Sequence, residues 1–133
     1  MQDSEIIDAV LVHLQGYIVD SEMVVSDLEY DKKVSSTEVL SFYRITKSYV
    51  LSYLNRTELP TITECVDGEK VEREDPIVLD ALAMWTAGKL WQKYNVRVNN
   101  NEDDTTPFGY GDKLVIQAKE ILKPYKYYDL KVC

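Results

Sequence analysis

The stretch from Ile77 to Trp91 is apolar around almost the whole circumference of a helix. Ile77, Val78, Leu79, Ala81, Leu82, Ala83, Met84 and Trp85 follow one another with only Asp80 between them, and Ala87, Leu90 and Trp91 continue the pattern past Lys89. A helix with no polar face is either wrapped by other helices or shared with a partner. It carries two charges and is too short for a bilayer, so it is expected at the centre of a helical core or shared with a partner. Asp75-Pro76 supplies the start, a capping carboxylate followed by proline at the first helical position. The helix is expected to run to about Tyr94, with Gly88 allowing a neighbouring helix to come close.

Three further helices are expected around it. The first spans about Asp3 to Tyr17, capped by Asp3 or Ser4, with Ile6, Ile7, Val10, Leu11, Leu14 and Ile18 on one stripe and Gly16 at its end. Residues 19–34 are mixed and acidic and read as a loop around the apolar pair Val24-Val25. The second helix opens at Ser35-Ser36-Thr37-Glu38, which fits a reciprocal capping box. It ends near Leu54, where Asn55 suits a left-handed stop. Val39, Tyr43, Val50 and Leu54 form its core stripe, and Phe42, Tyr49 and Tyr53 an adjacent aromatic flank. That arc is wider than one core contact requires: the helix is clamped between two neighbours, or its flank faces another subunit. The fourth helix is expected to be capped by Asp112 and to run to about Lys123, burying Leu114, Val115, Ala118, Ile121 and Leu122, with Pro124 as the stop.

Between the second and third helices, Thr61 to Val66 leans towards β structure, and Asp67-Gly68 is a hairpin turn pair. A short hairpin in an exposed, charged excursion over residues 56–74 fits, and a lone hairpin needs support from a partner. Residues 95–111 read as a long polar loop. The end of the chain, Tyr125 to Cys133, looks extended and rich in tyrosine, folded back on its own domain or docked on another. The expected fold class is therefore all-α: a four-helix bundle-like domain with a short β-hairpin and an extended C-terminal tail. It forms a single domain, with residues 1–34 an N-terminal helix and loop, 35–124 the helical core and 125–133 the tail.

Composition narrows the function. In 133 residues, 45% hydrophobic and 29% charged, there is enough apolar surface for one self-supporting core. Acidic residues outnumber basic ones 23 to 15, for a formal charge of −8, which disfavours phosphate backbones and anionic membranes as ligands. The start Met1-Gln2-Asp3-Ser4-Glu5 lacks the basic and apolar pattern of a secretory leader. Cys65 and Cys133 make no CxxC pair and indicate no disulfide framework, so a reducing compartment is expected.

No constellation for chemistry emerges. His13 is the single histidine, whereas zinc takes three or four ligands of its kind. Glu102-Asp103-Asp104 lacks the spacing of a calcium loop and reads as a solvated acidic loop. Gly109-Tyr110-Gly111 lacks the third glycine and preceding strand of a dinucleotide turn, and Asp112 beside it would repel phosphate; it reads as a turn with aromatic packing. With no catalytic, metal or cofactor site, the expectation is an assembly protein rather than an enzyme.

The stretch Thr46-Lys47-Ser48-Tyr49-Val50-Leu51-Ser52-Tyr53-Leu54-Asn55-Arg56 resembles the end of a helix in head–tail connector (adaptor, head-completion) proteins of long-tailed bacterial and archaeal viruses. The elements after it are similar as well: a polar excursion, a helix entered through Asp75-Pro76 and rich in residues like Ala81-Leu82-Ala83-Met84-Trp85, a glycine-containing loop, and a last helix with Ala118 and Leu122-Lys123-Pro124-Tyr125. The likeness covers residues 36–125, and the first 34 residues depart from it. It implies a virion structural protein: a ring, commonly dodecameric, bound beneath the portal and extending the DNA channel towards a stopper or tail-completion protein. DNA would pass through without specific binding, no membrane would be involved, and the ring would be assembled in the host cytoplasm. On that reading Phe42, Tyr49, Tyr53, Met84 and Trp91 are expected at the subunit interface. Tyr125, Tyr127, Tyr128, Leu130 and Val132 would form a portal-binding tail, and Glu102, Asp103 and Asp104 a channel or stopper loop. The alternative is a tail-completion protein or another cytoplasmic helical interaction module.

Overall fold

A computed structural model of the chain describes residues 2–14, 18–20, 33–95 and 107–126. These residues are mostly helical, with a small antiparallel hairpin and a short parallel strand pair. The helices are α1 (Asp3–His13), α2 (Ser36–Leu54), α3 (Pro76–Asn95) and α4 (Pro107–Leu122), and a 3-10 turn, Lys123–Lys126, follows α4. The strands are β1 (Ile18–Asp20), β2 (Lys33–Ser35), β3 (Thr61–Val66) and β4 (Glu69–Glu74). Among the described residues no helix is long and apolar enough to cross a membrane.

α3 is the hub, packed by α1, α2 and α4, and α4 lies along most of its length. Val78, Ala81, Leu82, Ala83, Ala87 and Leu90 are sealed from solvent, and the buried Thr86 hydroxyl is satisfied by donating to the Leu82 carbonyl at 2.8 Å. The start of α3 follows its sequence signal: the Ile77 N–H donates to Asp75 Oδ1 at 2.9 Å, with Pro76 as the first helical residue. Gly88 sits where α4 crosses. A Cβ there would lie 2.7 Å from the Gly111 carbonyl oxygen and 2.9 Å from Val115 Cγ2, so the two backbones meet only because neither glycine has a side chain.

α2 buries Val39, Tyr43, Thr46, Val50 and Leu54. It closes as expected on Asn55 in the left-handed conformation (φ 55°), with Arg56 N–H bonded to the Leu51 carbonyl and Asn55 N–H to that of Ser52, the Schellman pattern. Its start departs from expectation. Ser35 stands at the cap position but makes no side-chain capping bond, and the Glu38 carboxylate pairs with Lys93 on α3.

Four other boundaries differ. α1 ends at His13 rather than near Tyr17, because Leu14 turns to an extended conformation and the chain enters β1, which pairs in parallel with β2. Its cap is Gln2, with no side-chain bond, rather than Asp3 or Ser4. α4 begins at Pro107, so Gly109, Tyr110 and Gly111 belong to the helix and Asp112 is not its cap. Tyr125 is buried in the 3-10 turn and completes the core, so it is not part of an extended tail. Cys65 is disulfide-bonded, contrary to the expectation from a reducing compartment; Gly16, Val24, Val25 and Cys133 lie outside the described residues.

The hairpin forms where the sequence placed it. Thr61 pairs with Glu74 and Val66 with Glu69, and Asp67 (φ 53°) and Gly68 (φ 82°) both take positive φ, as a two-residue turn of the type that matches strand twist requires. At its root the Asp75 N–H donates to the Pro60 carbonyl at 3.2 Å, and the pairing Thr61–Glu74 opens directly onto α3.

Candidate assembly surface

Helical spacing on α2 assigns three functions to three flanks. Val39, Tyr43, Val50 and Leu54 point into the core. Phe42, Ile45 and Tyr49, three and four residues apart, form a second flank that meets Trp85 and Lys89 of α3 in a groove of about 340 Å³. Lys47 and Leu51 lie on a third flank, where they meet Thr61 and Glu74 at the root of the hairpin. Ile45 and Lys47 are two residues apart, ~200° around the helix, so the groove and the hairpin root occupy opposite sides of α2.

The groove is apolar inside and basic at its rim. Tyr49 and Ile45 are 55% and 52% exposed, which is high for large apolar side chains beside one another. Trp85 is almost fully buried, and its indole N–H has no hydrogen-bond partner among the described residues. The Lys119 ammonium of α4 lies 5.2 Å from the Trp85 ring and that of Lys93 5.3 Å from the Phe42 ring, both within cation–π range. Lys89 is exposed. On α4, Ile116 is 55% exposed and sits one turn from both Asp112 and Lys119. Those two residues reach towards α3, at Gln92 and Trp85.

The β3–β4 hairpin is an arm. By the alternation of a strand, Ile62, Glu64 and Val66 share a face with Glu69, Val71 and Arg73. Ile62, near the root, is buried, whereas Val66 and Val71 are 50% and 45% exposed. The Arg73 guanidinium pairs with Glu64 across that face. Every residue of β4 is exposed. Tyr43, close to the root, has its phenol pushed up to about 12 by burial first and by the nearby Glu74 carboxylate second. The Tyr110 phenol is raised by burial as well.

The stretch that carries the viral resemblance includes two residues that serve the fold. The Tyr53 hydroxyl donates to the Lys119 carbonyl at 3.1 Å, and its ring meets Trp85 edge-on at 6.0 Å. Arg56 donates through Nε and Nη2 to the Tyr125 carbonyl at 3.1 and 2.9 Å. Together they bind the end of α2 to α4 and to the turn after it.

The residues expected at an interface therefore separate. Phe42 and Tyr49 line the groove. Tyr53 is half-buried and already engaged. Met84 is half-buried, packed against the core. Trp91 is a core residue, 9% exposed, edge-on to Tyr110 at 4.5 Å. Tyr127, Tyr128, Leu130, Val132, Glu102, Asp103 and Asp104 lie outside the described residues, and Tyr125 is buried. Ile45, Trp85 and Lys89 were not singled out by sequence. Ile45 could have been, since it falls three residues after Phe42 and four before Tyr49; the place of Trp85 under them depends on how α2 meets α3. His13 joins α1 to α3 through Asp80, Nε2 to Oδ1 at 3.0 Å, and its carbonyl accepts from the Tyr110 hydroxyl at 3.0 Å. Among the described residues no group of three or more His, Cys, Asp or Glu could hold a metal ion. Comparison with protein-family models, characterised proteins and solved structures finds no match for the chain.

Proposed function

We propose that this chain is a structural subunit of a viral head–tail connector, a ring-forming adaptor that joins the portal to a stopper or tail-completion protein and extends the DNA channel. The observation that carries the reading is the pair of separate surfaces on opposite flanks of α2: an apolar groove on one and a projecting arm on the other. A subunit with one such surface on each side can contact the next copy head to tail, and such contacts close into rings. The element order supports the identification with connectors: the tyrosine-rich end of α2, a polar excursion, a helix entered through Asp75-Pro76, and a last helix whose exit is held by Tyr53 and Arg56. The arrangement is a helical bundle with a hairpin between its second and third helices, and the residues after Lys126 serve as the portal-binding tail. A net charge of −8 suits a channel wall along which DNA slides without adhering.

The test is electron microscopy of the chain mixed with the portal of the same virus. The expected result is an additional ring of density coaxial with the portal, lost when Leu130→Asp and Val132→Asp are combined. A portal that stays bare at saturating concentrations of the chain rejects the connector reading. The second reading, a tail-completion protein, would be favoured by binding to tail tubes in the same assay.

A further inference from the structure

We infer that the tip of the β3–β4 arm of one copy docks in the α2–α3 groove of the next copy, with Val66 and Val71 against Tyr49 and Trp85 and the acidic turn facing Lys89 and Lys119. The inference rests on the ring reading and names the contact that would build the ring. Three observations converge on it.

The first is geometric. The arm is rooted beside Lys47 and Leu51 and the groove is built on Phe42, Ile45 and Tyr49. The core stripe of α2 separates them on one side and the solvent face on the other. An arm rooted on the side of α2 opposite its own groove can fill the groove of a neighbour, which is the heterologous arrangement that a ring requires.

The second is stability. A two-stranded hairpin by itself is marginal in water. Among the described residues the one buried side chain of its strands is Ile62 at the root; Val66 and Val71 are exposed further out, beside the disulfide-bonded Cys65. Covering both valines against another copy removes apolar surface from water where the isolated domain gains nothing. A groove of about 340 Å³ has room for a few aliphatic side chains.

Charge is the third. In the arm Glu64, Asp67, Glu69, Glu72 and Glu74 outnumber Lys70 and Arg73. At the groove Lys89 and Lys119 stand exposed beside Trp85, a basic rim on an acidic chain. Opposed signs at the edge of a contact select the partner and its register more than they add affinity.

The experiment uses the full chain and reads assembly mass by sedimentation velocity, with circular dichroism to verify the fold. Both Val66→Asp and Tyr49→Asp change exposed side chains, and each alone is expected to reduce the ring to monomer. Mixed in equal amounts, they are expected to form a dimer and nothing larger, because one intact arm and one intact groove remain between them. Lys89→Glu should weaken assembly at least tenfold in concentration, and Glu69→Lys in the same chain should restore it. If Val66→Asp and the double substitution Val66→Asp/Val71→Asp still form rings of wild-type mass, the inference is overturned while the connector reading stands. If the wild-type chain stays monomeric with and without portal, both fall. A mixture of the two single variants that stays monomeric overturns the arm-in-groove contact.

Discussion

Replacing Gly88 with alanine tests the helix–helix contact on which the rest of the fold depends. In an exposed helix, glycine to alanine gains about 1 kcal/mol, because alanine loses less backbone entropy. At Gly88 the added methyl would lie 2.7 Å from the Gly111 carbonyl oxygen, 2.9 Å from Val115 Cγ2 and 3.2 Å from Leu114 Cβ. The nearest atom is backbone, so no rotamer change relieves it, and α4 must move away from α3 by several tenths of an ångström. Overpacking of this kind costs about 1–3 kcal/mol, and the upper end applies because the α3–α4 contact is long and contains Trp91 against Tyr110. The net expectation is a loss of about 2 kcal/mol. With an unfolding entropy of about 2.1 cal/mol/K per residue, that loss lowers Tm by about 7 °C for a chain of this length. Thermal melts followed by circular dichroism measure it, with urea titration to show that the m-value is unchanged. A Gly88→Ala chain as stable as wild type, or more stable, would refute the close approach of α3 and α4.

Four further outcomes are expected. The contribution of Tyr43 to stability should be constant below pH 10 and fall between pH 10 and about 12, because the folded state holds its phenol protonated above the ordinary range. The folded pKa is raised, so stability is lost as pH rises; Tyr43→Phe should remove roughly 2 kcal/mol of that fall relative to wild type, read by urea titration at pH 9 and pH 12. Arg56→Ala should lose about 1–3 kcal/mol by breaking both bonds to the Tyr125 carbonyl, with faster amide exchange in the turn after α4 as its local signature; unchanged exchange there would contradict the clamp. Gly68→Ala, which meets no neighbour within 4 Å but holds φ at 82°, should cost about 1 kcal/mol from backbone strain alone. Cys65 should resist alkylation in the denatured protein until a reductant is added, and immediate labelling would show it to be a thiol.

The parts of the fold that local chemistry controls were legible in the sequence. Asp67-Gly68 marked the hairpin because both positions need positive φ, Asp75-Pro76 marked the entry to α3, and Asn55 marked the end of α2. The all-round apolarity of the third helix identified the hub. Elsewhere tertiary packing outweighed local preference. Gly109 and Gly111 favour a turn by propensity, yet Gly111 is helical and packs against Gly88. Glu38 was read as half of a capping box, but its carboxylate meets Lys93, 55 residues away. Tyr125 looked like the start of a tail because nothing in its neighbourhood could bury it; Arg56 and the core do so from far along the chain. The candidate surface was half legible. Helical spacing gave Phe42 and Tyr49, but Trp91, on an apparently similar stripe, turned inward. The floor at Trp85 follows from how α2 crosses α3, which spacing within one helix does not encode.

The central claim is that the groove of Phe42, Ile45, Tyr49 and Trp85 is where copies of this chain meet. The most direct test is the mass of the purified chain as a function of concentration, for wild type and for Tyr49→Asp. Wild type is expected to pass from monomer to one closed assembly of fixed mass, and Tyr49→Asp to remain a folded monomer at every concentration. A wild-type assembly that Tyr49→Asp leaves intact would contradict it.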